Sequence, residues 1–358
     1  MSKDRISFAG ALLAGLLGAI MTLVAAELLI RVAMPNWSEF HSGRFMDRVA
    51  TIIPGFPPVV LARRNFDGYF AQNNGDFRVH IRINDFSLRD DTPVDTANGR
   101  LWVIGDSMAF GWGVERAETY TQVIADTSGL ATYNVASPGT DVCGYQAMAA
   151  RMPATLKPRA VVVGLILEND MRIYDCKAEG RETQEHPPQA NAPILGFESW
   201  TEFKWQLTGV SALYNFLAVT LKRVGVLDEL LVKIGLLARE HVEFDRFPRQ
   251  QLDAVVASTA AALADLRDML GRDTPYAVLI APARFEIRDR DPFFRDMRVK
   301  MVAALAERGI DVVDPYEGFA AAGFAPTHFV HDGHWSRLGH KIAGEATVRW
   351  LKQHHESQ

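Results

Sequence analysis

The chain predicts an α/β fold: a parallel five-stranded sheet between two helical layers, preceded by an N-terminal transmembrane helix and interrupted by a helical insertion. Three observations carry this. Short continuous apolar runs, as at 101–104 and 160–167, read as strands buried on both faces. Such runs alternate with helical periodicity from residue 101 to 351, the pattern of βα units joined by right-handed crossovers. Residues 6–26 carry no charge and are long enough to cross a bilayer as a helix. The chain has 358 residues, 48% hydrophobic and 23% charged, an ordinary globular composition. A net charge of −5 and a pI near 6.1 argue against a nucleic-acid partner.

Lys3 and Arg5 precede the apolar stretch, which favours an N-terminus left in the cytoplasm and the remainder outside the inner membrane. A cleaved signal peptide is the rival reading, with Val24-Ala25-Ala26 as a cleavage site. The stretch outruns a usual signal core, and Leu28, Leu29, Ile30 and Val32 continue its pattern, so an uncleaved anchor is favoured. The predicted organisation is an anchor over 1–33, a tether and β-hairpin over 34–98, and the α/β domain over 99–352 with an insertion at 178–245.

Within the second segment, Pro35, Pro54, Pro57 and Pro58 mark residues 34–65 as an irregular tether. Residues 77–83 alternate apolar and polar, Asn73-Asn74-Gly75 is a turn signal, and 66–71 supplies the partner strand. Residues 66–83 therefore form a hairpin beside the main domain, and 90–99 form a linker.

In the α/β domain the strands are expected at 101–104, 131–136, 160–167, 276–281 and 310–313. Helices are expected at 118–126 (ending near Gly129), 145–152, 252–270 (closed by Gly271), from Asp291-Pro292 to Arg308-Gly309, and from 334–336 to 351 with Ser336 as a cap. The insertion opens with a polar loop, 179–192. Residues 200–237 then have helical period broken at Gly209 and Gly225. They read as a helical cap packed on the domain, or alternatively as a lid or a membrane-resting surface. The expected strand order is the flavodoxin-like 2-1-3-4-5, with 101–104 central.

That order gathers strand tips at one sheet edge, where open α/β sheets bind ligands. The tips carry Asp106-Ser107, Pro138-Gly139-Thr140 and Asn169-Asp170. The loop after the last strand contains His328, His331, Asp332 and His334. Acyl transfer by a serine needs a nucleophile, a base near neutral pKa, a group orienting that base, and oxyanion donors. Ser107 can supply the hydroxyl and a histidine of 328–334 the base. Asp332, two residues from His334, can orient it. The N–H groups of Ser107 and Gly139 and the Asn169 amide can act as donors. The competing local readings are a helix cap at 106–107 and plain turns at 138–140 and 169–170. Zinc held by His328, His331, His334 and Asp332 is a further alternative.

Gly105-Asp106-Ser107, Gly139, Gly164 to Asp170 and Asp332-Gly-His334-Trp, in this order, resemble the four blocks of the SGNH/GDSL hydrolase superfamily across residues 99–352. The resemblance implies a flavodoxin-like three-layer fold and no metal or other cofactor. It implies Ser107 as nucleophile, His334 as base and Asp332 as its orienting partner. Ser107 N–H, Gly139 N–H and Asn169 would form the oxyanion hole. Much of the family spaces the last block Asp-x-x-His. The Asp332-x-His334-Trp spacing here resembles the membrane-anchored or periplasmic branch linked to polysaccharide O-acetylation, as does Asn84-Asp-Phe-Ser-Leu-Arg89. The glycines of Phe110-Gly-Trp-Gly113 read as packing positions and Trp112 as structural, with His328 and His331 as surface or supporting groups. Cys143 and Cys176 follow two neighbouring loops and can form a disulfide outside the cytoplasm.

The functional expectation is a serine esterase or acyltransferase acting on O-acyl, especially O-acetyl, groups of cell-envelope carbohydrate. Its partners would be the acylated carbohydrate or other ester, the membrane through the N-terminal helix, and envelope polysaccharide-modification machinery. The alternatives are a lipid esterase or thioesterase, and a non-catalytic glycan-binding or assembly protein.

Overall fold

The computed structural model describes residues 8–47, 49–72, 75–185, 200–221, 230, 233 and 247–355. Contacts divide the chain into two compact units, residues 1–41 with 190–238, and residues 42–189 with 239–358.

The larger unit is built on the predicted sheet. Its strands are β3 (Leu101–Ile104), β4 (Thr132–Asn134), β5 (Ala160–Ile166), β6 (Tyr276–Ala281) and β7 (Asp311–Val313), after a separate hairpin of β1 (Asp67–Ala71) and β2 (Arg78–Arg82). The five strands are parallel in the order β4-β3-β5-β6-β7, which is 2-1-3-4-5 counted within the sheet. Every residue of β3, β5 and β6 is buried, because helices cover both faces.

On one face α3 (Tyr120–Ser128) packs with the last helix, Arg337–His355. On the other, α4 (Val142–Arg151) packs on the helix Leu252–Leu270, which packs on Pro292–Ala306. Alternate strand residues feed the two cores: Trp102 and Ile104 one, Leu101 and Val103 the other. The helix ends follow local chemistry. Gly129 closes α3 at φ +74°, a left-handed conformation that glycine adopts without a Cβ penalty. Asp291 accepts from Phe293 N–H ahead of Pro292, and Ser336 Oγ accepts from Leu338 N–H.

Three expectations need correction. Residues 34–65 are not a free tether. Beyond residue 41, Phe45, Met46, Ile53, Val59, Leu61 and Ala62 are buried in the two cores, and the bridges Met46↔Ala62 and Thr51↔Val59 fold the segment back on itself. Its apolar residues have no helix or strand period, so periodicity did not reveal their burial. The 90–99 linker is also packed, since Asp90 is buried and Trp102 Nε1–H donates to Ala97 O at 2.8 Å.

The start of the expected 179–192 loop is helical: α5 spans Cys176–Glu185. Asp175 Oδ1 accepts from Ala178 N–H, and Glu179 pairs with Arg172 at 2.8 Å. Residues 186–192 lie outside the described residues, as do Lys3, Arg5, Asn73-Asn74 and most of 222–246. Cys176 is bonded to Cys143 at a Cα–Cα distance of 5.2 Å. The bridge closes a loop over a sequence separation of 33, so replacing both cysteines with alanine is expected to lower stability by about 2–4 kcal/mol, measured by urea unfolding.

In the smaller unit, α1 (Phe8–Ala33) contacts α7 (Ala212–Leu221), and α7 contacts α6 (Trp200–Val210). The described part of the expected helical cap thus shares a compact unit with the N-terminal helix.

Candidate active site

β3 ends at Ile104 and is followed by Gly105, where an added Cβ would stand 2.7 Å from the Ala109 Cβ. The chain then turns directly into α2 (Ser107–Phe110). Asp106 caps α2 by accepting from Met108 N–H at 2.8 Å. The capping reading of Asp106 is therefore correct, and it leaves Ser107 at the first helical position, where its hydroxyl also lies 3.3 Å from Asp106 Oδ2.

Ser107 Oγ lies 2.8 Å from His334 Nε2. On the far side of the ring, His334 Nδ1 bonds Asp332 Oδ1. Asp332 Oδ2 accepts from Gln72 Nε2 at 3.0 Å, a contact from the end of β1. The Trp112 ring stacks on the imidazole, with centroids 5.6 Å apart and planes at 25°. Ser107 thus meets His334, 227 residues away in sequence, in one line with Asp332 of the same late loop.

A small cavity of about 80 Å³ adjoins the line, with Ser107, Glu168, Asn169, Arg284, His328 and His334 among its lining residues. Asn169 sits on the tip after β5. That turn is braced by the buried Asp170, which accepts from Ile166 N–H at 2.7 Å and Tyr145 O–H at 2.8 Å. Gly139 is exposed at φ +75° in its turn after β4, and it does not line the cavity. His331 is exposed and bonds Asp76 at 2.8 Å. His328 is buried, stacked on Phe324 and bonded to Thr327, so of the two expected roles, surface or supporting, the surface one does not hold for it.

Electrostatics follow from burial and pairing. Burial alone would lower His334, but the charge and hydrogen bond of Asp332, with the charge of Asp106, raise it above the ordinary imidazole value. Burial would raise Asp332, and the adjoining His334 outweighs it and holds the carboxyl low. Burial pushes Asp106 up to about 6, opposed by Met108 N–H and by His334. Burial lowers His328 to about 4, which keeps its imidazole neutral near pH 7.

Sequence reasoning missed Gln72, Glu168 and Arg284. Glu168 is raised by burial against the pull of Arg284. Its carboxylate accepts from Arg284 N–H at 2.5 Å and pairs with the guanidinium at 2.9 Å. Arg284 in turn lies over Gly333, whose φ of +84° already excludes most side chains. Arg284 follows the tip of β6, so applying the strand-end rule to the fourth strand as well would have pointed to it. Gln72 had no such signal. Trp112, expected to be structural, touches the imidazole.

The segment ahead of β3 supports the nucleophile's loop. Asn84 Oδ1 accepts from the N–H groups of Phe86 and Leu88, a local turn that delivers Arg89 into the core. Arg89 donates to the carbonyls of Phe110, Gly111 and Val114, which cap the four-residue α2 and its following turn.

No family model matches the chain, and no curated relative does. Among solved structures it is similar to a member of the lipolytic protein G-D-S-L family from Veillonella parvula, at 13% identity over 71% of this chain and 98% of that one, with a TM-score of 0.39. It is similar to a lipase/acylhydrolase from Enterococcus faecalis, at 14% identity over 71% and 96%, with a TM-score of 0.40. It is also similar to a carbohydrate esterase family 2 enzyme from Myceliophthora fergusii, at 14% identity over 71% and 66%, with a TM-score of 0.37.

Proposed function

We propose that this chain is a serine ester hydrolase or acyltransferase that works through an acyl-enzyme on Ser107. The observation that carries the reading is the line Ser107 Oγ, His334 and Asp332, with 2.8 Å between hydroxyl and imidazole. Ser107 Oγ attacks the ester carbonyl carbon while its proton passes to His334 Nε2. The imidazolium then protonates the leaving alkoxide as the carbon–oxygen bond breaks. Water or a sugar hydroxyl, deprotonated by the same nitrogen, takes the acyl group from Ser107. Asp332 stabilises the imidazolium and fixes the ring orientation. Ser107 and Asn169, which line the cavity, would supply the oxyanion donors through the Ser107 N–H and the Asn169 amide, with Gly139 N–H, outside that lining, as the third donor of the reading.

The cavity favours a short acyl group. About 80 Å³ is well below the roughly 300–1,000 Å³ of sites that bury drug-sized ligands, and it suits acetyl better than a fatty chain. The envelope assignment rests on two supports. The helical span Gly10–Ala33 contains an 18-residue window with a mean hydropathy of 2.2 and none of it buried, which suits a membrane anchor. The Cys143–Cys176 bond suits a compartment outside the cytoplasm. O-acetylated carbohydrate of the cell envelope is accordingly the proposed substrate, and polysaccharide-modification machinery the proposed setting. The intact mass of the protein after brief exposure to an activated acetyl donor tests this. A gain of one acetyl group, lost on adding an acceptor sugar, is expected; no adduct, or an adduct with long-chain esters only, overturns it.

Two outcomes refine the roles. His334 must be neutral to accept the proton, and its pKa is raised. Activity is therefore lost as pH falls through a value above the ordinary imidazole pKa, and kcat/KM should rise with pH along that limb. Asp332→Asn should shift the limb to lower pH, since the raising charge is gone. For Asn169→Ala, loss of one donor is expected to lower kcat by about 10²–10³-fold, with KM for a short ester little changed.

A further inference from the structure

The junction between α1 and α7 is built around one carboxylate. Glu27 is the first charged residue after the uncharged 6–26 stretch. Its two oxygens accept from Ser211 Oγ–H at 2.9 Å, Ala212 N–H at 2.9 Å and Leu213 N–H at 2.8 Å. These are the free donors at the start of α7, so Glu27 caps that helix from another element. One turn further along α1, Arg31 pairs with Glu27 at 2.7 Å, donates to Val210 O at 2.7 Å and lies 4.6 Å over the Trp37 ring. Asn215 of α7 is fully buried and donates to Trp37 O.

A spanning helix uses about 20 residues for the hydrocarbon layer, so a carboxylate directly after the uncharged stretch stands at the outer boundary of that layer. Whatever is hydrogen-bonded to it stands there too. Around this junction large apolar side chains face outward: Leu28 (58% exposed), Leu29 (67%) and Val32 (80%) on α1, with Val210 (62%) and Leu217 (43%) on the helical pair. The pair also carries the half-buried Tyr214, a residue type that settles at membrane interfaces.

We infer that α6 and α7 rest in the headgroup layer of the bilayer that α1 crosses, and that the surface carrying Val210 and Leu217 binds phospholipid. The Glu27 cap is the element that holds the pair there. A retained anchor is part of the same arrangement, because cleavage after Ala26 would separate Glu27 from its span. The inference rests on the anchor reading above and adds a second, peripheral lipid contact.

The native cysteines are bonded to each other, so an introduced cysteine can be labelled alone. The full chain is reconstituted in phosphatidylcholine vesicles containing some phosphatidylglycerol. A polarity-sensitive fluorophore is placed at Val210→Cys, Leu217→Cys, Leu17→Cys or Val299→Cys. A nitroxide lipid labelled near the headgroup should dim positions 210 and 217 about twofold, as expected for side chains buried some 5–10 Å into the interface. Val299, exposed on the larger unit, should be unaffected, and a nitroxide near the chain end should dim Leu17. Glu27→Gln should reduce the dimming at 210 and 217 and leave that at 17.

Positions 210 and 217 behaving like 299 while 17 is dimmed overturns the inference alone. No dimming at 17 overturns the anchor reading and the inference with it. Dimming at 210 and 217 that follows protein density rather than nitroxide overturns it in favour of a second copy of the chain.

Discussion

Replacing Ser107 with alanine is expected to lower kcat/KM on short-chain esters by about 10⁴-fold or more and to abolish the acyl adduct seen by mass. The size follows from the geometry. The hydroxyl is the one alcohol of the Ser107–His334–Asp332 line, and the imidazole 2.8 Å away has no second hydroxyl within that line to activate. His334→Ala should cost nearly as much. The double variant should cost no more than the worse single one, because the two residues perform one proton-coupled step. Stopped assays with a chromogenic acetate ester and intact-mass measurement check both. Retention of more than about a hundredth of the activity in Ser107→Ala would place the nucleophile elsewhere. Loss on chelation with no loss in Ser107→Ala would favour a metal-dependent route.

Arg89→Met is expected to destabilise the larger unit by about 4–5 kcal/mol, and to lower its thermal midpoint by about 10 °C or more. Arg89 is 2% exposed, and its hydrogen bonds reach only backbone oxygens: His80 O at 3.3 Å, Phe110 O at 3.2 Å, Val114 O at 2.7 Å and Gly111 O. Methionine fills similar volume and leaves those carbonyls buried without donors, which is more costly than losing the bonds alone. Burial brings the guanidinium down to about 10, so it stays charged at neutral pH.

Gly111 and Gly113 are locked in the same turn, with φ of +88° and +83°. An added Cβ at Gly113 would come within 2.6 Å of Phe329. The turn presents Trp112 to His334, so below the new midpoint Arg89→Met should lose kcat more than it raises KM. Arg89→Lys should recover only part of the stability, since one ammonium cannot serve carbonyls on both sides of the fork. Unfolding followed by circular dichroism checks this, and an unchanged midpoint would mean the carbonyls find other donors.

The regular elements of the domain were legible because their signals are local. Period two marked β2 and the turn signal before it marked β1 as its partner, continuous apolar runs marked β3, β5 and β6, and Gly129, Asp291-Pro292 and Ser336 marked helix ends. The strand order came from connection rules that act on neighbours in sequence. Residues 45–62 were not legible. Phe45-Met46, Ile53, Val59 and Leu61-Ala62 are buried in short pieces of a segment broken by Pro54, Pro57 and Pro58, with no repeat to announce them. The start of α5 was obscured by polar composition, and its support comes from Asp175, Arg172 and the bond from Cys143.

By itself the sequence determined which residues stand at the strand tips, and hence that a serine, an asparagine and an Asp-x-His pair share one sheet edge. Only the tertiary structure decided what completes that edge. Gln72 reaches Asp332 across 260 positions, Arg284 settles over Gly333 beside Glu168, and Gly139 stays outside the small cavity. Glu27, directly after the uncharged stretch, became the cap of the helix that begins at Ala212. The physical reason is one of range. Backbone period and capping act within a turn or a strand, whereas these partners are chosen by how loops of unequal length close over a finished sheet.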